Sequence, residues 1–170
     1  MKSLRKIFLG AAIGALLSLG TAVAGDVGVN AWHYQPSLVG NWQFVMTVRF
    51  DAPDCTTAEP IPFGPNPFPG LITYHDGGTL NEYASRSPVS VRSTGFGAWK
   101  QTGKRSYTAR YTFMEFDSNG LLWRTMVVES DIKLNKKSDG YTGVNRLVST
   151  DISGNAVNIC ATVEGVRFET

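Results

Sequence analysis

After residue 24, alternation of apolar and polar residues with a period of two is common in this chain. The clearest run covers residues 41–50. Trp42, Phe44, Met46, Val48 and Phe50 fall on one side, and Gln43, Val45, Thr47 and Arg49 on the other. That is the pattern of a strand with one buried face. After residue 24 no window of a dozen residues keeps the i, i+3, i+4, i+7 apolar spacing of an amphipathic helix, so the pattern predicts strands throughout.

Seven further strands follow from β-branched and aromatic content between turn signals. They are Leu71 to Asp76, Thr79 to Arg86, Gly97 to Thr102, Ser106 to Phe116, Leu121 to Leu134, Tyr141 to Thr150 and Ala156 to Phe168. Gly77-Gly78, Gly103, Asp117-Ser118-Asn119-Gly120, Ser138-Asp139-Gly140 and Ser153-Gly154-Asn155 separate them. Asn-Gly supplies the positive φ angles that tight hairpins require. Arg124 and Ser130 interrupt the apolar face of the sixth strand, which predicts a bulge or a polar interior. Eight strands joined mostly by tight turns predict an all-β, antiparallel, up-and-down barrel. A sandwich would need longer crossovers.

Two stretches break this rhythm. Pro53 to Gly70 carries five prolines from Pro60 to Pro69 and reads as a long loop, because proline donates no ladder hydrogen bond. Its apolar residues Ile61, Phe63 and Phe68 suit a lid over a barrel mouth. Ser87 to Phe96 is a second irregular segment.

The first 24 residues change the charge and the compartment. Lys2, Arg5 and Lys6 precede an apolar run from Ile7 to Leu19, and Ala22 and Ala24 place small residues before Gly25. This is the layout of a secretory signal peptide cut at Ala24-Gly25. No cysteine marks a lipoprotein site and no twin-arginine pair is present. Three of the 16 basic residues lie in this leader and all 14 acidic ones follow it, so the mature chain is slightly acidic. That removes the compositional support for a nucleic-acid partner. No later apolar stretch reaches the ~18–20 residues of a membrane helix, so no stable membrane insertion is expected. The expected layout is a signal peptide over 1–24, a lead-in over 25–39 with Trp32 and Tyr34, and one barrel domain over 40–170. The protein would be secreted or periplasmic, with its oligomeric state open.

In an exported chain the two cysteines, Cys55 and Cys160, are expected to form one disulfide. In a closed barrel the first and last strands are antiparallel neighbours. A pairing that sets Trp42 opposite Phe168, Gln43 opposite Arg167 and Phe50 opposite Cys160 brings Cys55 within bridging reach.

With Gly40-Asn41-Trp42 opening the first strand, a long loop after it, a meander of strands and Arg167 ending the last, the chain resembles the lipocalin-like, or calycin-type, secreted bacterial β-barrels over Leu38 to Phe168. The resemblance implies that Trp42 packs at the closed end of the barrel under Arg167, a cation–π contact. Gly-x-Trp recurs at Gly97-Ala98-Trp99, and lipocalins carry a C-terminal helix that is not predicted before Thr170. Other small closed barrels, the allene oxide cyclase-like ones among them, share the layout.

Candidate chemistry is sparse. His33 and His75 lack the partners of a zinc site, so no metal is expected, nor any other cofactor. There is no Gly-x-Ser-x-Gly elbow. Gly97 to Arg105 has the wrong spacing for a phosphate loop, and Arg105 replaces its Ser or Thr. Glu82 and Glu115 are acids within strands; Glu115 shares the parity of Tyr107, Tyr111 and Phe113 and is the better interior candidate. The inward aromatics Trp42, Phe44, Tyr111 and Phe113, with Phe63 and Phe68 on the loop, are the candidate ligand contacts. These residues fit a carrier or sensor of a small hydrophobic or amphipathic molecule. Two alternatives stand: a barrel enzyme of isomerase or cyclase type using Glu115 or Tyr111, and a structural or protein-interaction barrel with a filled interior.

Overall fold

The structure, a computed structural model, describes residues 37–62, 64–88 and 91–168. The expected signal peptide, most of the lead-in with Trp32, His33 and Tyr34, and the loop residue Phe63 lie outside these described residues.

Eight strands form the domain: β1 Gly40–Arg49, β2 Phe68–Tyr74, β3 Thr79–Ala84, β4 Gly95–Gly103, β5 Ser106–Phe116, β6 Leu122–Leu134, β7 Gly140–Asp151 and β8 Ala156–Arg167. Each pairs antiparallel with its sequence neighbours, and β8 returns to β1, so the sheet closes in the order β1 to β8. The fold is the up-and-down barrel that the alternation predicts. Closure gives every strand a neighbour on each side. Among the described residues no helix is long and apolar enough to cross a membrane.

The alternation in β1 becomes a buried row, Trp42, Phe44, Met46 and Val48, facing a row from β5, Tyr107, Ala109, Tyr111 and Phe113. Two hairpins share one device. Asp117 Oδ1 accepts hydrogen bonds from the Asn119 and Leu121 amides, and Asp151 Oδ1 accepts them from Ser153 and Asn155. A glycine at positive φ, Gly120 or Gly154, completes each turn.

Two expectations need correction. The closing register is one residue away from the expected one: Trp42 lies opposite Arg167 and Arg49 opposite Cys160. The reason is burial. A one-residue slip inverts the faces of a strand, and the observed register puts Ala161 and Val163 inside while Glu164 and Val166 face out. The proline-rich loop ends earlier than expected, since β2 begins at Phe68, whose ring is buried inside the barrel. Pro69 is tolerated as the second residue of β2, where the ladder starts. The loop is also pinned. Asn66 accepts from the Val48 amide at 2.8 Å, and its Nδ2 donates to the carbonyls of Val48 and Ile61.

The disulfide is present. Cys55, in the β1–β2 loop, is bonded to Cys160 on β8 across a Cα separation of 5.5 Å. Arg146 of β7 reinforces it by donating to the carbonyls of Ala52 and Pro53. The first part of the loop is thereby strapped to the outer wall.

One end of the barrel is shut. The Arg167 guanidinium lies 4.2 Å from the Trp42 ring centroid and donates to the carbonyls of Ser37, Val39 and Ser138. Trp42 Nε1 donates to the Leu38 carbonyl at 2.8 Å. This is the arrangement that the lipocalin-like resemblance implies for Trp42 and Arg167. Above Trp42, Tyr141 packs edge-on at 5.1 Å, and Trp99 touches both Tyr74 and Tyr107. Gly165 makes room for this floor, because a Cβ there would overlap the Tyr141 ring.

Candidate functional site

The opposite end is open. The β1–β2 and β3–β4 loops and the β5–β6 and β7–β8 hairpins surround its mouth, and a cavity of about 530 Å³ extends inward. Its apolar wall includes Met46 and Val48 of β1, Phe68 of β2, Phe113 of β5, Met126 and Val128 of β6, and Leu147 of β7. Each is an inward-facing residue of its strand. Toward the floor the interior fills: only about 10 Å³ remains among Phe44, Tyr74, Tyr111, Tyr141 and Asn145. That is the scale of a single water site.

Charged side chains penetrate the wall. Glu82 of β3 and Arg92, which follows in the β3–β4 connection, form an ion pair at 2.6 Å with side-chain exposures of 2% and 3%. The Arg92 guanidinium lies 3.7 Å from the centroid of the Phe113 ring. Gly95 leaves space for this, as a Cβ there would meet Glu82 Oε2 at 2.7 Å. Burial pushes the Glu82 carboxyl above its ordinary value, and the Arg92 charge opposes that rise. Nearer the mouth, Arg124 Nε donates to Glu115 Oε2 at 2.5 Å, and Ser87 Oγ donates to Glu115 Oε1 at 3.3 Å. Arg124 also stacks on Trp123 at 4.2 Å. Arg86, half-buried, lies 5.7 Å from the Phe68 ring centroid.

The candidate residues divide along the barrel axis. Phe68, Tyr111, Phe113 and Glu115 line the cavity. Trp42 and Phe44 sit below it in the packed floor. Both strand acids face inward, and Glu82, not Glu115, is the deeper and more completely buried of the two. Arg124 and Ser130 face inward as well, and the β5–β6 ladder shifts register where Glu115 meets Arg124 and Phe116 meets Leu122, so β6 has both a polar interior and an irregularity. Sequence reasoning missed Arg92 and Arg86. Arg92 lies in an irregular segment, where no periodicity assigns a side chain to a face. An arginine ten residues after the strand acid Glu82 was the available signal.

Burial pushes the Tyr111 phenol well above its ordinary value, so it stays protonated. Tyr74 and Tyr141 share a hydrogen bond beneath it. His75 is exposed at the closed end, with Nε2 2.7 Å from Asn81 Oδ1. Among the described residues no cluster of three His, Cys, Asp or Glu side chains suits a metal. A second concavity of about 430 Å³ lies on the outer wall among Lys100, Arg110, Glu129, Asp131 and Arg146. Its charges are mixed and exposed, and Arg110 pairs with Glu129 at 3.6 Å.

The fold and cavity define the chain as a closed eight-stranded barrel with one shut and one open end. No family model matches it, and searches of curated proteins and of solved structures find no match.

Proposed function

We propose that this protein is an exported, lipocalin-like barrel that binds a small hydrophobic or amphipathic molecule in the cavity at its open end. The observation that carries this reading is the cavity itself. Its volume of about 530 Å³ falls inside the ~300–1,000 Å³ range of ligand sites, and apolar walls with a few convergent polar groups are their usual lining. A filled interior would have favoured a structural or interaction barrel instead. The Cys55–Cys160 bridge fits an oxidising compartment, which supports export. Exported protein beginning at Gly25 would agree with this, and an intact Met1 would refute it.

The test fills the space. Ala84 is buried at the end of β3 and faces the cavity. Wild-type protein should bind a hydrophobic dye with a change in Trp123 fluorescence, and Ala84→Trp should remove most of that binding while leaving the circular dichroism of the barrel intact. Equal dye binding by a folded Ala84→Trp variant would refute the site.

The titratable groups facing the cavity favour a second reading, an isomerase or cyclase acting on the same kind of molecule. Against it, Glu82 and Glu115 are each committed to an arginine, and Tyr111 is held protonated. Recovery of bound molecules unchanged after incubation supports the carrier; a rearranged product supports the enzyme.

A further inference from the structure

We infer that the cavity takes an amphipathic monoanion, whose carboxylate is held at the mouth by Arg86 and Arg124 and whose apolar chain runs inward. The inference rests on the binding reading above and adds the charge, the orientation and the residues. Its basis is the balance of charge around the mouth.

The deep pair is self-contained, since Arg92 and Glu82 neutralise each other out of water. At the mouth Glu115 is the one carboxylate on the inner wall among the described residues, and it is bonded to Arg124. Arg86 sits beside them. It feels the attraction of Glu115 and the repulsion of Arg124, and it has no ion-pair partner among the described residues. At the end of β1, Arg49 and the exposed Asp51 add opposite charges to the rim, and the Arg49 guanidinium donates to the Ala58 carbonyl and Thr162 Oγ1. Two arginines therefore face one carboxylate, and one positive charge is left over.

That surplus is half-buried. A guanidinium partly out of water gains more from a counter-charge than one on the surface, because the local dielectric is lower. Its planar fork matches a carboxylate by two parallel hydrogen bonds. Beyond the headgroup only apolar side chains are available until Glu82 and Arg92, which are already paired. A ligand with one anionic end and one apolar end satisfies both features. A dianion would exceed the available positive charge, and a cation would meet net repulsion.

The experiment compares dodecanoate with dodecanol, titrated below their aggregation limits and followed by tryptophan fluorescence. Wild-type protein should bind the acid about tenfold or more tightly than the alcohol, the scale of one charge-assisted pair. Arg86→Gln should abolish the preference while leaving the affinity for the alcohol within about twofold, which also shows that the variant is folded. Arg86→Lys should restore part of it. Equal binding of acid and alcohol by wild-type protein, or an undiminished preference in Arg86→Gln, overturns the anion site while leaving the apolar binding reading intact. Absence of binding by either compound overturns both.

Discussion

Replacing Arg92 by Met tests whether the charged pair inside the barrel acts as a unit. Methionine keeps an apolar stem against Phe113 and removes the charge. In the native structure Arg92 Nη2 lies 2.6 Å from Glu82 Oε2, with both side chains almost fully buried. Removing one member of such a pair strands the other, at a cost of about 3–5 kcal/mol. The lost cation–π contact with Phe113, about 2 kcal/mol when desolvated, belongs within that figure because both act through one guanidinium. The dependence on pH identifies the cause. Burial already raises the Glu82 carboxyl above its ordinary 4.5, and loss of Arg92 removes the charge that opposes the rise. A carboxyl with a raised folded pKa contributes stability that is fully present below its unfolded pKa and is lost as pH rises through its folded pKa. The deficit of Arg92→Met should therefore be smaller below about pH 4.5, where only the pH-independent contact with Phe113 is lost, and reach its full size near neutrality. Urea unfolding at several pH values measures it. The double variant Arg92→Met with Glu82→Gln should recover most of the neutral-pH loss. A deficit that is the same at every pH, or a double variant no better than the single one, would refute the reasoning.

Two further outcomes are expected. Cys55→Ser with Cys160→Ser should lose about 2–5 kcal/mol, since the bridge closes a long loop and spans 105 residues; two free thiols in the exported wild-type protein would contradict the bridge. Arg167→Met should lose about 3 kcal/mol or more in urea unfolding, because three carbonyls and the Trp42 ring depend on that guanidinium. A loss under about 1 kcal/mol would show that the clamp is not stabilising.

The fold was largely legible because alternation and turn chemistry agreed. In β5 to β8 each apolar run is bounded by glycine, aspartate or asparagine, so both the face and the ends of each strand are written locally. The start of β2 was not, because Pro67 and Pro69 look like loop, and only pairing with β1 makes Phe68 an inward residue. The β1–β8 register was also out of reach of a local pattern. Periodicity assigns faces within a strand, whereas the partner's position follows from which register buries Ala161 and Val163. The site was partly legible. Phe68, Tyr111, Phe113 and Glu115 follow from parity or aromatic content. Arg92 does not, because it enters the interior from a connection, and tertiary contacts alone decide where an irregular segment points its side chains. The pattern places Arg86 as the last residue of the third strand, which ends at Ala84 instead.

The division along the barrel axis has a consequence for how binding and stability are coupled. The aromatic floor and the Arg167 clamp bury a dense set of rings where no cavity remains. The disulfide and Arg146 hold the first part of the β1–β2 loop on the outer wall. The mouth arginines Arg86 and Arg124 stand apart from both. Side chains with no shared partner act almost independently, whereas those in one network do not. Changes at Arg167 or Trp42 should therefore alter stability with little effect on ligand preference, and changes at Arg86 the reverse. Arg92 and Glu82 occupy the boundary: their pair supports the wall between β3 and β4 and also lines the inner part of the cavity. A ligand reaching that depth should protect the barrel against unfolding, and Arg92→Met should weaken the protection more than Arg167→Met does. If both variants retained the same ligand-induced stabilisation, the chain of the ligand would end above Glu82, and the usable cavity would be its outer part alone.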